Sequence, residues 1–288
     1  MKRICSLVLV LCILSVLCVP ALASHEGESR AVIGADLSES QILTVYEQFG
    51  IVRGSVTELQ VTNAEERDYL EGLVSESVIG TRSISCVYIR LLGEGEGLSV
   101  ATSNISWCTE DMYRSALMTA GVDDAEVKVG APFFVSGTAA LTGIYKAYED
   151  ITGVRLEEEA KEVAADELVT TAELAEEITE EDAVAIVNDL KLMLDEIATM
   201  SDVELKEQIR QIAAQYGYTL DDALIQKLIS LCRSLQGLSV EELQQKAQQF
   251  KDTLETVSQY AGQAMGFGQK VIAIIRNIVS LLKNAFGA

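Results

Sequence analysis

The chain has a single histidine, His25, in 288 residues. Triads built on an imidazole and multi-histidine metal sites both need this residue type held within a fold. His25 stands near the start of the sequence and excludes both. Cys5, Cys12 and Cys18 fall in an N-terminal apolar run, so Cys86, Cys108 and Cys232 remain. Three is an odd number, which allows at most one bridge, and their spacing is not that of a zinc site. They read as small buried hydrophobes. No Walker loop, EF-hand loop or G-x-S-x-G elbow is present. The GEGEG run, residues 93–97, carries two glutamates where a phosphate cradle needs none, so it reads as a turn. The 44 Asp and Glu residues contain no pair that spacing marks as acid and base. No catalytic residue, metal ligand or cofactor is named on these grounds.

One stretch can hold a ligand. Ser136, Gly137 and Thr138 open an apolar helical pattern at Ala139–Tyr148. Free amides and hydroxyls at a helix start hold an anion. They also serve as plain N-caps, and both readings stand. The acidic run Glu157–Asp182 reads as a solvated helix face, because calcium needs oxygens converging on one point. Asn104-Ile105-Ser106 matches a glycosylation acceptor in an exported chain.

Charge narrows the partners. With 22 Lys and Arg against 44 Asp and Glu the net charge is −22. No basic face for nucleic acid is visible. A 49% apolar share with two prolines excludes a disordered chain.

The elements that must position these residues follow in order. Met1-Lys2-Arg3, an apolar run from Cys5 to Val19 and the small-residue site Ala21-Leu22-Ala23 form a predicted signal peptide, residues 1–23. Cleavage after Ala23 implies a secreted or cell-surface protein. Residues 24–153 read as a mixed α/β domain. Ala31–Ala35 is a predicted strand. Ser38 with Gln41 caps a helix to Gly50, and Ser55–Val61 is a strand. Thr62 with Glu65 caps a helix to about Val74. Arg82–Leu92 and Leu98–Trp107, joined by GEGEG, are predicted to pair as a hairpin. Thr109 caps a helix to Gly121 with Met112, Ala116 and Leu117 inward. Ala125–Val129 is the last strand, followed by a loop at Pro132. A single mixed sheet with packed helices results, and a ferredoxin-like order fits its middle.

Residues 154–262 read as a helical domain. Capping boxes at Thr179/Asp182, Ser201/Glu204, Thr219/Asp222 and Ser239/Glu242 each precede apolar residues at three-and-four spacing. Residues 263–288 form a predicted amphipathic helix. Ile274, Ile275, Ile278, Leu282 and Phe286 lie on its apolar face, with Lys270, Arg276 and Lys283 opposite. No acid follows Glu255, so this tail carries +3. It can pack internally, lie on a membrane surface or dock on a protein partner. The fold class expected is α+β, with an all-helical C-terminal half.

Five segments resemble the DUF1002 family of exported bacterial proteins. They are IGADLSESQ (33–41), VTNAEERDYLEGLV (61–74), IGTRSISCVYI (79–89), SNISWCTEDMYRSALMTAGVDDAEV (103–127) and APFFVSGTAALTGIYKAYE (131–149). The likeness is looser over the helical half, where ELVTTAELAEEI (167–178) and the 219–238 region are similar. The resemblance implies a secreted or cell-surface protein and supplies no activity, cofactor or site residue. The reading is a non-enzymatic binding or envelope protein whose tail contacts a surface. The alternative is a hydrolase or ligand-binding protein with its site at Ser136–Thr138.

Overall fold

A computed structural model describes residues 25–254 and 256. The predicted signal peptide and the tail residues Lys270 to Phe286 lie outside the described residues.

Five strands form one mixed sheet in the order β2-β1-β3-β5-β4. They are β1 (Ser29–Gly34), β2 (Thr57–Val61), β3 (Cys86–Leu91), β4 (Ser99–Ile105) and β5 (Ala125–Val135). The parallel pairs β1/β2 and β4/β5 are each joined by a crossover containing a helix, α1 (Glu39–Phe49) and α4 (Glu110–Ala120). The antiparallel pairs β1/β3 and β3/β5 join the two units.

The expected hairpin is not formed. β3 and β4 flank β5 instead of pairing with each other, so the GEGEG turn spans a third strand. β5 is paired on both sides: Val87 faces Val129 on one side, and Thr102 faces the same Val129 on the other. Val127 and Val129 are buried and belong to the main core. β5 lies between them in the sheet, which separates β3 from β4. The strand order also differs from a ferredoxin-like one. β5 runs through Pro132 rather than ending before it. The β3 register stops at Gly130, so the proline's missing N–H breaks no rung there.

Alternation along the strands sorts two cores. Ala31, Ile33, Cys86 and Tyr88 face α1 through Ile42, Val45, Tyr46 and Phe49. Val32, Val87, Ile89, Val127 and Val129 face the opposite way. That second face is covered by α4 and α5 (Thr138–Thr152), with α6 (Glu158–Ala175) packed on α4 in the same core. Ser38 and Gln41 close the expected capping box on α1, and Gly50 ends it in the left-handed region. The helix opened by Thr62, α2 (Asn63–Leu70), is shorter than expected. The short α3 (Glu76–Ile79) follows it.

The helical half continues with α7 (Glu180–Leu192), α8 (Leu194–Ile197), α9 (Asp202–Gln215), α10 (Asp222–Leu235) and a last helix over 240–254. The cap of α10 is Asp221, which accepts from Leu224 N at 2.8 Å, rather than Thr219. These helices close a core of their own around Leu190, Leu194, Leu205, Ile209, Leu228 and Leu231. α6 serves both cores: Ala164, Leu168 and Ala172 pack toward the sheet, while Val163 and Leu174 pack into the bundle.

A helix buried on two sides has little room for charge, yet α6 carries Glu167 at 1% exposure. The carboxylate meets Lys191 Nζ at 2.6 Å. Ser115 Oγ donates to it at 2.5 Å and Thr119 Oγ1 at 2.6 Å. Lys191 also donates to Thr119 Oγ1 at 2.8 Å and to Ser115 Oγ at 3.1 Å. Burial pushes the Lys191 ammonium pKa down, opposed by the adjacent Glu167. The reading of the acidic run as a solvated face therefore fails at Glu167.

Removing one member of this pair leaves an unpaired buried charge. Lys191→Met is expected to destabilise the chain by about 3–5 kcal/mol. Adding Glu167→Leu to it should restore most of the loss, because both charges then go. Urea unfolding of the three chains measures this, and an additive double variant would contradict it.

Candidate functional site

The site follows from how α5 begins. β5 leaves the sheet at Val135, and the chain turns at Gly137, which caps α5 with φ 101°. A Cβ at Gly137 would lie 2.5 Å from the Tyr113 hydroxyl and 2.6 Å from Ile105 Cγ2. Only glycine fits here, in conformation and in space. The Gly137 carbonyl accepts from Tyr113 Oη at 2.6 Å. The turn is thereby pinned to α4, and Cys108 N adds a bond to Ser136 O at 3.2 Å.

This turn forms one side of a cleft of about 300 Å³. The facing side is the segment 77–85, and Phe133 stands half-exposed beside the turn. At its wall lies Glu66 of α2, 1% exposed. Thr138 Oγ1 donates to Glu66 Oε1 at 2.6 Å, and Asn63 Nδ2 donates to Oε2 at 3.2 Å. Ser136 Oγ donates to the Val78 carbonyl at 3.0 Å and lies 3.2 Å from Thr138 Oγ1. The structure thus brings Ser136, Gly137 and Thr138 together with Glu66, an acid that no motif in the sequence singles out.

Burial raises the Glu66 pKa. The bonds from Thr138 and Asn63 and the nearby Arg67 charge oppose that rise. Arg67 itself is turned away, with its guanidinium on Glu76 at 2.7 and 3.0 Å and on Gly80 O at 2.8 Å. Among the described residues Glu66 forms no ion pair.

The thiols offer no nucleophile. Cys86, Cys108 and Cys232 are all free and buried. Burial pushes each thiol pKa up to about 12, and a protonated thiol is a poor nucleophile. Their reading as small buried hydrophobes holds. Asn104 Nδ2 donates to Ala131 O at 2.8 Å, which ties the amide of the predicted acceptor into the sheet. His25 pairs with Glu28 at 3.0 Å on the exposed start of the chain. No group of three His, Cys, Asp or Glu residues able to hold a metal occurs among the described residues. No described helix is long and apolar enough to cross a membrane.

The GEGEG loop does meet an anion, though an internal one. Asp124 lies in the left-handed region at φ 45°. Its carboxylate accepts from Gly95 N at 3.0 Å and Gly97 N at 2.6 Å.

The Thr138–Glu66 hydrogen bond joins the turn to the buried acid. Thr138→Val keeps the shape and deletes the donor. A destabilisation of about 1–3 kcal/mol is expected, read by urea unfolding at neutral pH. An unchanged midpoint would mean the bond contributes nothing.

No solved structure matches the chain. The uncharacterized protein YpuA of Bacillus subtilis (strain 168) is 38% identical over 267 residues, covering 89% of this chain and 90% of that protein. The DUF1002 family, described as a protein of unknown function, matches residues 33–257. That match takes in strands β2 to β5, the end of β1, the turn at Gly137 and the buried Glu66. The chain belongs to the DUF1002 family.

Proposed function

We propose that this chain is an exported, non-enzymatic binding protein that takes a small ligand into the cleft at the start of α5. The observation that carries the reading is the convergence there of Glu66, Ser136 and Thr138 beside Phe133. Ligand sites combine apolar wall with a few fixed polar groups, and this cleft has both. Its chemistry suits holding rather than attack. The Thr138 hydroxyl proton is already committed to Glu66, and Ser136 donates to backbone instead of to a base. Export rests on the basic start, apolar run and Ala21-Leu22-Ala23 site.

A fragment screen by amide chemical shift on residues 24–288 tests the cleft. Shifts should concentrate at 77–85 and 133–139, and Phe133→Ser should weaken them without lowering the melting temperature. Fragments that collect only elsewhere would sink the reading.

A second reading belongs to the tail. Its support is the change of charge sign after Glu255 together with the apolar face of Ile274, Ile275, Ile278, Leu282 and Phe286. Residues 24–288 should float with anionic vesicles, while a folded truncation ending at Gly262 should not. Equal flotation of both chains would remove the tail as a membrane contact.

A further inference from the structure

The unusual group in the cleft is Glu66. The other fully buried acid among the described residues, Glu167, has Lys191 at 2.6 Å, and the half-buried Glu58 and Glu149 have Arg53 at 3.0 Å and Lys161 at 3.2 Å. Glu66 is as buried as Glu167 but has two hydrogen-bond donors and, among the described residues, no ion pair. A carboxylate offers about four acceptor positions, so part of its capacity is unused. The groups acting on it are few. Arg67 is its neighbour on α2, while Cys108 before α4 and Tyr113 on α4 feel its charge. The thiol and phenol are neutral, and the Arg67 guanidinium is committed to Glu76 and Gly80. Arg82, on the facing segment, directs its guanidinium to the Asp36 carbonyl at 2.8 Å.

We propose, resting on the cleft reading above, that the ligand carries a primary ammonium group that pairs with Glu66 while its apolar part lies against Phe133. A lone buried carboxylate is poorly solvated, and a cation that reaches it meets an anion already stripped of water. Ammonium fits better than a metal ion, because one carboxylate with hydroxyl neighbours does not give converging oxygen ligands. Ser136 and Thr138 supply hydroxyl oxygens beside the carboxylate, and an ammonium has three donors to distribute. The half-exposed Phe133 ring offers a face to the hydrocarbon that follows the nitrogen. Fixed binding groups of this kind are held at the expense of stability. An acid whose pKa is raised on folding stabilises the fold fully only below its unfolded value, and that stability is lost as pH rises through the folded value.

The test uses residues 24–288 and three probes of one shape: phenethylamine, 2-phenylethanol and phenylacetate. Amide shifts at 77–85 and 133–139 report binding. Phenethylamine should bind at least about tenfold more tightly than the other two. Glu66→Gln should lose that preference while melting no lower than the parent at neutral pH, with its advantage shrinking as pH falls. In the parent chain, phenethylamine binding should weaken on acidification as Glu66 takes up a proton, which gives a readout that needs no variant. If the alcohol or the acid binds the cleft as well as the amine, or Glu66→Gln keeps the preference, the ammonium proposal fails and the cleft reading survives. If none of the three probes moves the cleft residues, both fail.

Discussion

The burial of α6 is the constraint on which the rest of the architecture depends. One helix packs on α4 in the sheet-side core and also forms a wall of the bundle. Small residues make this possible: Ala164, Ala165 and Ala172 let neighbours approach closely. The charge at its centre is then satisfied from two other helices, by Ser115 and Thr119 of α4 and Lys191 of α7. Such a pair adds little net stability over an apolar replacement. Its geometric effect is larger. Glu167 must lie opposite Lys191 and between two hydroxyls one turn apart on α4, which fixes the register of three helices at one point.

The same packing sets the cleft. α4 lies between α6 and the turn at Gly137, and its Tyr113 hydroxyl holds the Gly137 carbonyl. α4 is therefore fixed on one side by the buried ion pair and on the other fixes the start of α5. Displacing α4 would move Tyr113, and with it the turn that brings Thr138 to Glu66. Site and bundle share one helix, which is why the helical half matters to a cleft built mostly by the N-terminal half.

Local signals were legible in the sequence and long-range pairing was not. The caps at Ser38, Thr62 and Ser201 are read from residues three apart, that at Thr109 from its place before an apolar helical pattern, and each is found. The α+β class follows from the same periodicities. The β3/β4 hairpin misled because a glycine-rich link between two strands looks the same whether or not a third strand enters between them. Only β5, some twenty residues later, decides it, and its run of alternate valines is equally compatible with an edge. Glu167 was hidden because a buried glutamate and a solvated one are the same letter in an acidic run. Glu66 was hidden for the same reason. Ser136–Thr138 could be named because a Ser-Gly-Thr turn before a helix is local, whereas the acid it meets comes from 72 residues away.

An acidic chain must place many carboxylates, and this one uses several as internal acceptors. The glycine loop that resembles a phosphate cradle holds Asp124. The edge strand β4 has its Thr102 N–H covered by Glu110 at 3.0 Å, which blunts one rung of an open edge. Thr62 and Ser201 take Glu65 and Glu204 across their helix starts. In each case backbone amides that would attract an outside anion already have one. Glu66 departs from this pattern. Its partners are side-chain donors, it caps no free amide, and it faces a cleft. Where the other acids complete the fold, this one leaves an anion short of a partner, and that difference rather than acidity itself is what marks the cleft.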